Sequence, residues 1–92
     1  MLSIQLSRRV RDFLEAIPKK HAWQIARKIQ EIATDPDTRP PHPLRGFPGY
    51  YRVKSGEYRF IYRIEDGHIL LVLIAGKRND DEIYRDFLKM MK

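Results

Sequence analysis

The chain has 92 residues, with 18 lysines and arginines against 12 acidic residues for a net charge of +6, and it contains no cysteine. That length allows one domain with a modest core over residues 1–92, and the missing thiols rule out a disulfide framework, a thiolate nucleophile and a cysteine zinc site. The positive balance points to a polyanionic partner (nucleic acid, an acidic protein or a membrane surface), with a merely soluble basic protein as the plain alternative.

Leu2, Ile4 and Leu6 alternate with Ser3 and Gln5, which predicts a short opening strand. This start is too quickly followed by Arg8 and Arg9 to be a signal peptide, and no apolar run reaches membrane-spanning length. A reducing cytoplasm is compatible with the absence of cysteine without being demanded by it, and a cytoplasmic protein with no membrane partner is the expectation. Ser7 is suited to cap a helix carrying Val10, Phe13, Leu14 and Ile17 on one side. Pro18 fits the first turn of a second helix, whose stripe is Ala22, Ile25, Ala26, Ile29, Ile32 and Ala33. Two such helices joined tightly should form a hairpin covering one face of a sheet. From Thr34 to Gly49 periodicity disappears and five prolines stiffen what reads as a loop. It delivers Leu44, Arg45, Gly46 and Phe47 to the edge of the sheet, making Arg45 a candidate substrate or partner contact.

Three strands follow, between Tyr50 and Gly76. A tight turn at Ser55-Gly56 sets Lys54 opposite Glu57 and Arg52 opposite Arg59; a four-residue loop keeps the same parity. Asp66-Gly67 signals a second hairpin, pairing Glu65 with His68 and Arg59 with Ile74. Alternation then puts Tyr51, Val53, Tyr58, Phe60, Tyr62 and Ile64 on an apolar face with Ile69, Leu71, Leu73 and Ala75. The other face receives Arg52, Lys54, Glu57, Arg59, Ile61 and Arg63, with Leu70, Val72, Ile74, Gly76 and Arg78. Alternating cations are ordinary on a solvated face. Directly opposed arginines, however, cost up to about 1 kcal/mol, and Glu57 alone is near enough to relieve them.

The segment Asn79-Asp80-Asp81-Glu82 has the form of a helix start, with Asn79 as cap and Glu82 reaching back. Ile83, Phe87, Leu88 and Met91 give that helix an apolar side. Tyr84, one turn in, could bring its ring to the basic face, where aromatic stacking beside cations suits single-stranded RNA, or it could simply pack on the sheet. His21, His42 and His68 fall in the second helix, the proline loop and a hairpin turn, none at metal-ligand spacing, so neither metal nor cofactor is expected.

The run from Leu44 to Tyr62, with Gly56, Tyr58, Arg59 and Tyr62 at its end, resembles the RelE branch of the RelE/ParE toxin superfamily. So do Gly76-Lys77-Arg78 and Ile83-Tyr84. The resemblance covers essentially the whole chain. It implies the RelE-like microbial RNase fold: an α+β structure with an N-terminal strand, a two-helix hairpin on a mainly antiparallel four-stranded sheet, and a short C-terminal helix. It also implies an mRNA interferase, the toxin of a type II toxin–antitoxin system that cuts mRNA in the ribosomal A site. The family's catalytic cluster maps onto Arg52, Lys54, Arg59, Arg78 and Tyr84, with Arg45 and Lys77 as substrate contacts.

In metal-free cleavage the ribose 2′-OH attacks the adjacent phosphorus, leaving a cyclic phosphate and a 5′-OH. Lys54 is the candidate base: neighbouring cations disfavour its charged form, while bound phosphates favour it. Arg59 suits the phosphorane oxygens. Arg78 matches the family's general acid, although arginine gives up a proton reluctantly and its charge on the leaving oxygen is the sounder role. Arg52 stands where the best-known members have lysine; it keeps the charge but cannot serve as a base. Glu57 is the one acid near these positions, and it is expected to orient Lys54 or Arg59 rather than to abstract a proton. The implied partners are an acidic, partly disordered antitoxin, the ribosome with its mRNA, and operator DNA only through the antitoxin complex. Two alternatives stay open: a ParE-like inhibitor of DNA gyrase, and a basic module that binds RNA or the ribosome without cutting.

Overall fold

The computed structural model describes residues 1–36, 42–77 and 80–91, with the side chains of Asp80 and Asp81 excepted. In chain order the elements are β1 (Ser3–Leu6), α1 (Arg8–Ala16), α2 (Lys19–Thr34), β2 (His42–Pro43), β3 (Tyr50–Ser55), β4 (Tyr58–Glu65), β5 (Ile69–Lys77) and α3 (Asp80–Met90). They build an α+β fold around a five-stranded sheet of order β1-β5-β4-β3-β2, in which β1 runs parallel to β5 and the other pairs are antiparallel. The expected opening strand, helix hairpin, three long strands and final helix are all present. The fifth strand is the addition: His42 and Pro43, expected in a loop, pair with Arg52 and Tyr51. An edge position tolerates Pro43, which has no N–H to give.

Helix starts follow local chemistry. The Ser7 hydroxyl accepts the Val10 N–H at 3.1 Å as the N-cap of α1. Pro18 sits one place earlier than expected, as the N-cap of α2 rather than inside its first turn. The expected cap at Asn79 lies outside the described residues.

Each sheet face is covered by a different element. Val10, Ile25, Ile29 and Ala33 of the helix hairpin bury against Tyr58, Phe60, Tyr62, Leu70, Val72 and Ala75. The other face carries a smaller cluster in which Leu44, Ile83 and Phe87 close over Ile61 and Ile74. Each fully buried aliphatic or phenylalanine contributes about 1.5–3 kcal/mol. Met91, expected on the apolar side of α3, is 45% exposed past its end.

Both hairpin registers differ from expectation. The first turn is Gly56-Glu57, so Ser55 pairs with Tyr58, Lys54 with Arg59 and Arg52 with Ile61. Gly56 adopts φ +59° at the first turn position, where a tight hairpin needs a residue free to be left-handed. The shift is two residues, so parity survives and only the partners change.

The second turn spans three residues, and Glu65 pairs with Ile69 rather than His68. That odd count exchanges the faces of the first half of β5. Leu70 and Val72 therefore enter the helix-side core, whereas Leu71 pairs with Arg63 on the other side. A bulge then restores the expected parity: Tyr62 pairs with Val72 but Ile61 with Ile74, leaving Leu73 as the extra residue. Arg59 consequently faces Gly76, not Ile74. The Ser7 hydroxyl donates to the Leu73 carbonyl at 2.8 Å and the Ser7 N–H to the Val72 carbonyl at 3.0 Å, so the α1 cap also satisfies the bulge.

Candidate nucleic-acid interface

The surviving parity places a set of cations on the α3 side of the sheet. Lys54 and Arg59 stand directly opposite each other, with Arg52 and Ile61 on the neighbouring rung. Directly opposed side chains have Cβ atoms about 4.5–5.5 Å apart, so Lys54 and Arg59 leave the sheet side by side. Lys54 and Arg52 are exposed, whereas Arg59 is half-buried and donates from Nη1 to the Tyr58 carbonyl at 3.1 Å.

Beside these cations lies a groove of about 410 Å³. Leu44, Ile61 and Ile83 supply apolar lining, Pro43 and Tyr84 flat surfaces, and Arg45, Arg52 and Arg59 positive charge. Its two walls come from distant parts of the chain. The turn after β2 is folded by hydrogen bonds from the Leu44 N–H to the Tyr50 carbonyl (2.8 Å) and from the Phe47 N–H to the Leu44 carbonyl (3.1 Å). The Tyr84 hydroxyl, on α3, donates to the Arg45 carbonyl at 3.4 Å across the groove. A site that is apolar on one side and cationic on the other can hold a flat base and a phosphate together.

Of the residues expected from sequence, Arg45, Arg52, Arg59 and Tyr84 line this groove, and Lys54 shares their sheet face. Lys77 is not brought there, because it pairs with Tyr58, whose side chain belongs to the helix-side core. Arg78 lies outside the described residues. Glu57 occupies the hairpin turn and is exposed. His42, which the sequence puts in the proline loop with no role, is set by β2 opposite Arg52, on the cationic face. The two-residue strand that puts it there has no hydrophobic pattern to betray it.

Arg63 shares this face but is committed elsewhere. It donates to the Tyr50 hydroxyl at 2.9 Å and is paired with Glu65. The Glu65 carboxylate, aided by the Tyr50 hydroxyl, holds the Arg63 guanidinium even more firmly protonated than usual.

A second hollow of about 490 Å³ follows the end of α2, but Arg27 and Lys28 alternate there with Glu31 and Asp35, so it presents no field of one sign. Among the described residues, no three histidine or acidic side chains converge as a metal site, and no helix is long and apolar enough to cross a membrane.

Comparison with known proteins places the chain in a family. The family model for the ParE toxin of type II toxin–antitoxin system, parDE, matches residues 4–82. No curated protein matches the chain in sequence. A free Escherichia coli RelE toxin mutant superposes with a TM-score of 0.80 at 22% identity, covering 99% of this chain and 98% of that one. The isolated E. coli RelE toxin gives 0.74 at 22% identity over the whole of both chains. The toxin–antitoxin complex RelBE2 from Mycobacterium tuberculosis gives 0.70 at 24%, covering 84% of this chain and 98% of that one. These structures share the fold, and the match over residues 4–82 shows the family: the chain belongs to the ParE toxins of type II toxin–antitoxin systems, within the RelE/ParE toxin superfamily.

Proposed function

We propose that this toxin is a metal-independent endoribonuclease that cuts mRNA in the ribosomal A site and so halts translation. The observation that carries this reading is the gathering of Arg52, Lys54 and Arg59 beside a groove that also holds Tyr84. In the reaction the 2′-oxygen bonds to the adjacent phosphorus as the bond from phosphorus to the 5′-oxygen breaks. The 2′-OH proton leaves to a base and a proton reaches the 5′-oxygen, giving a 2′,3′-cyclic phosphate and a 5′-OH.

Lys54 accepts the first proton, and His42, opposite Arg52, is a second group on that face able to do so. Arg59 stabilises the phosphorane oxygens, as fixed charge aimed at a developing anion is commonly the largest catalytic contribution. Arg52 neutralises a flanking phosphate, Arg45 contacts the RNA from the loop, and Tyr84 stacks on the base beside the cut. Arg78 enters from the sequence resemblance alone, as charge on the leaving oxygen. The net charge of +6 suits an acidic, partly disordered antitoxin as partner, with operator DNA engaged only through that complex. This reading implies action in the cytoplasm on ribosomes.

The matched family is one of ParE toxins, and the sequence resemblance carries one alternative for it, a ParE-like inhibitor of DNA gyrase. Incubating the purified protein with mRNA, with and without programmed ribosomes, alongside a gyrase supercoiling assay separates the two. Cuts in A-site codons with normal supercoiling support the ribonuclease; intact mRNA with blocked supercoiling replaces it by the gyrase inhibitor. Intact mRNA on ribosomes that retain the protein would mark a binder without catalysis.

A further inference from the structure

Arg63 and Tyr50 form a pair that the proposed chemistry does not use. They are cross-strand partners, and besides the 2.9 Å hydrogen bond the guanidinium lies 5.7 Å from the centre of the Tyr50 ring. Glu65 holds the other arm of the guanidinium, so Arg63 has a fixed direction. Tyr50 in turn packs against both the loop and the helix that carry the groove walls. Its ring meets Phe87 of α3 at 5.4 Å and Phe47 of the loop at 6.2 Å, and Phe47 meets Phe87 edge-on at 5.1 Å. Its backbone closes the loop as well, accepting from the Leu44 N–H and donating to the Phe47 carbonyl.

We infer that Tyr50 and Arg63 are positioning residues: a latch that fixes the loop carrying Arg45 to the helix carrying Tyr84. Neither residue lines the groove. Their effect passes through Phe47 and Phe87 to the 3.4 Å contact between the Tyr84 hydroxyl and the Arg45 carbonyl. A fixed spacing between the walls is what orients a stacked base against a phosphate held at Arg59, and a displacement of about 1 Å in such an arrangement can cost about 100-fold in rate. The kinetic consequence rests on the ribonuclease reading; the mechanical one does not.

Two measurements on the full chain test the latch. The first is hydrogen exchange at the amides of Leu44 and Tyr50 in wild type, Tyr50→Phe and Arg63→Ala. Tyr50→Phe keeps all three rings and removes only the acceptor, so it is expected to fold normally. Faster exchange in both variants, with an unchanged unfolding midpoint, is the expected result; exchange at the wild-type rate in Tyr50→Phe overturns the inference. The second is RNA cleavage. Each variant should lose about tenfold in kcat with KM nearly unchanged, the double variant should be no worse than either single one, and Arg63→Lys should recover part of the loss. Losses that multiply in the double variant, or that appear only in KM, contradict a shared positioning role. If wild type cuts no RNA, the ribonuclease reading fails and hydrogen exchange alone decides the latch.

Discussion

The two faces of the central sheet are made by the same strands, yet they are finished differently. On the helix-hairpin side Phe60, Leu70 and Val72 are completely buried and the aromatic rings of Tyr58 and Tyr62 seal the core. On the other side α3 and the loop bury a smaller cluster around Ile61 and Ile74, and the strand ends beyond it carry Lys54, Arg52 and Arg59. Residues 60 and 61 are adjacent in the chain and belong to opposite faces. One face stores stability, while the other gives up part of its burial to keep charges and an open groove together.

The comparison can be broken most forcefully at that adjacent pair. Phe60→Ala should cost about 3–5 kcal/mol of stability and leave activity per folded molecule intact. Ile61→Ala, which also empties part of the groove lining, should lower both, and equal behaviour of the two variants in denaturant melts and cleavage assays would erase the distinction. Arg59→Ala tests the other face: cleavage should fall about 100- to 1,000-fold with no loss in urea stability, as expected for removal of one preorganised donor to a developing anion.

A pH titration sharpens the contrast further. Burial, with a smaller contribution from Tyr51, pushes the Tyr62 phenol up from 10.0 to about 12. Below pH 10 the phenol is neutral in folded and unfolded chains alike, so its burial carries no titration penalty. As pH rises from 10 towards 12 the unfolded phenol ionises first, and stability should fall by about 2–3 kcal/mol across that window. Tyr62→Phe should remove that part of the alkaline loss in urea melts at pH 9 and pH 11. The smallest expected effect is at Ser7→Ala, which loses the α1 cap and the donor to the Leu73 carbonyl at the bulge: about 1–2 kcal/mol by thermal unfolding, with the register of β5 unchanged by NMR.

Much of this architecture was legible in the chain itself. Ile25, Ile29 and Ala33 recur at helical spacing and form the buried stripe of α2, and alternation from Tyr50 to Arg63 correctly divides β3 and β4 between the two faces. Arg52, Lys54 and Arg59 were therefore placed on one side even though their partners were not. Partners depend on turn length, and Ser55-Gly56-Glu57 is compatible with more than one turn. At the second hairpin Asp66 and Gly67 both adopt positive φ, but His68 joins the turn, and alternation cannot reveal that extra residue. Nor can it reveal the compensating bulge at Leu73, because β5 is aliphatic on both faces and either assignment looks apolar. His42 was missed for a related reason: a two-residue edge strand is held by backbone pairing, which leaves no trace in side-chain periodicity.

The central claim, that the cationic groove cuts RNA by 2′-oxygen attack, is tested most directly by the ends of the cut. Ribosome-bound mRNA would be treated with wild type and Arg59→Ala, and the fragment termini identified by mass spectrometry. Wild type should leave a 2′,3′-cyclic phosphate and a 5′-OH, with both products lost in Arg59→Ala at unchanged folding stability. Fragments bearing a 5′-phosphate, or full activity in Arg59→Ala, would contradict the account.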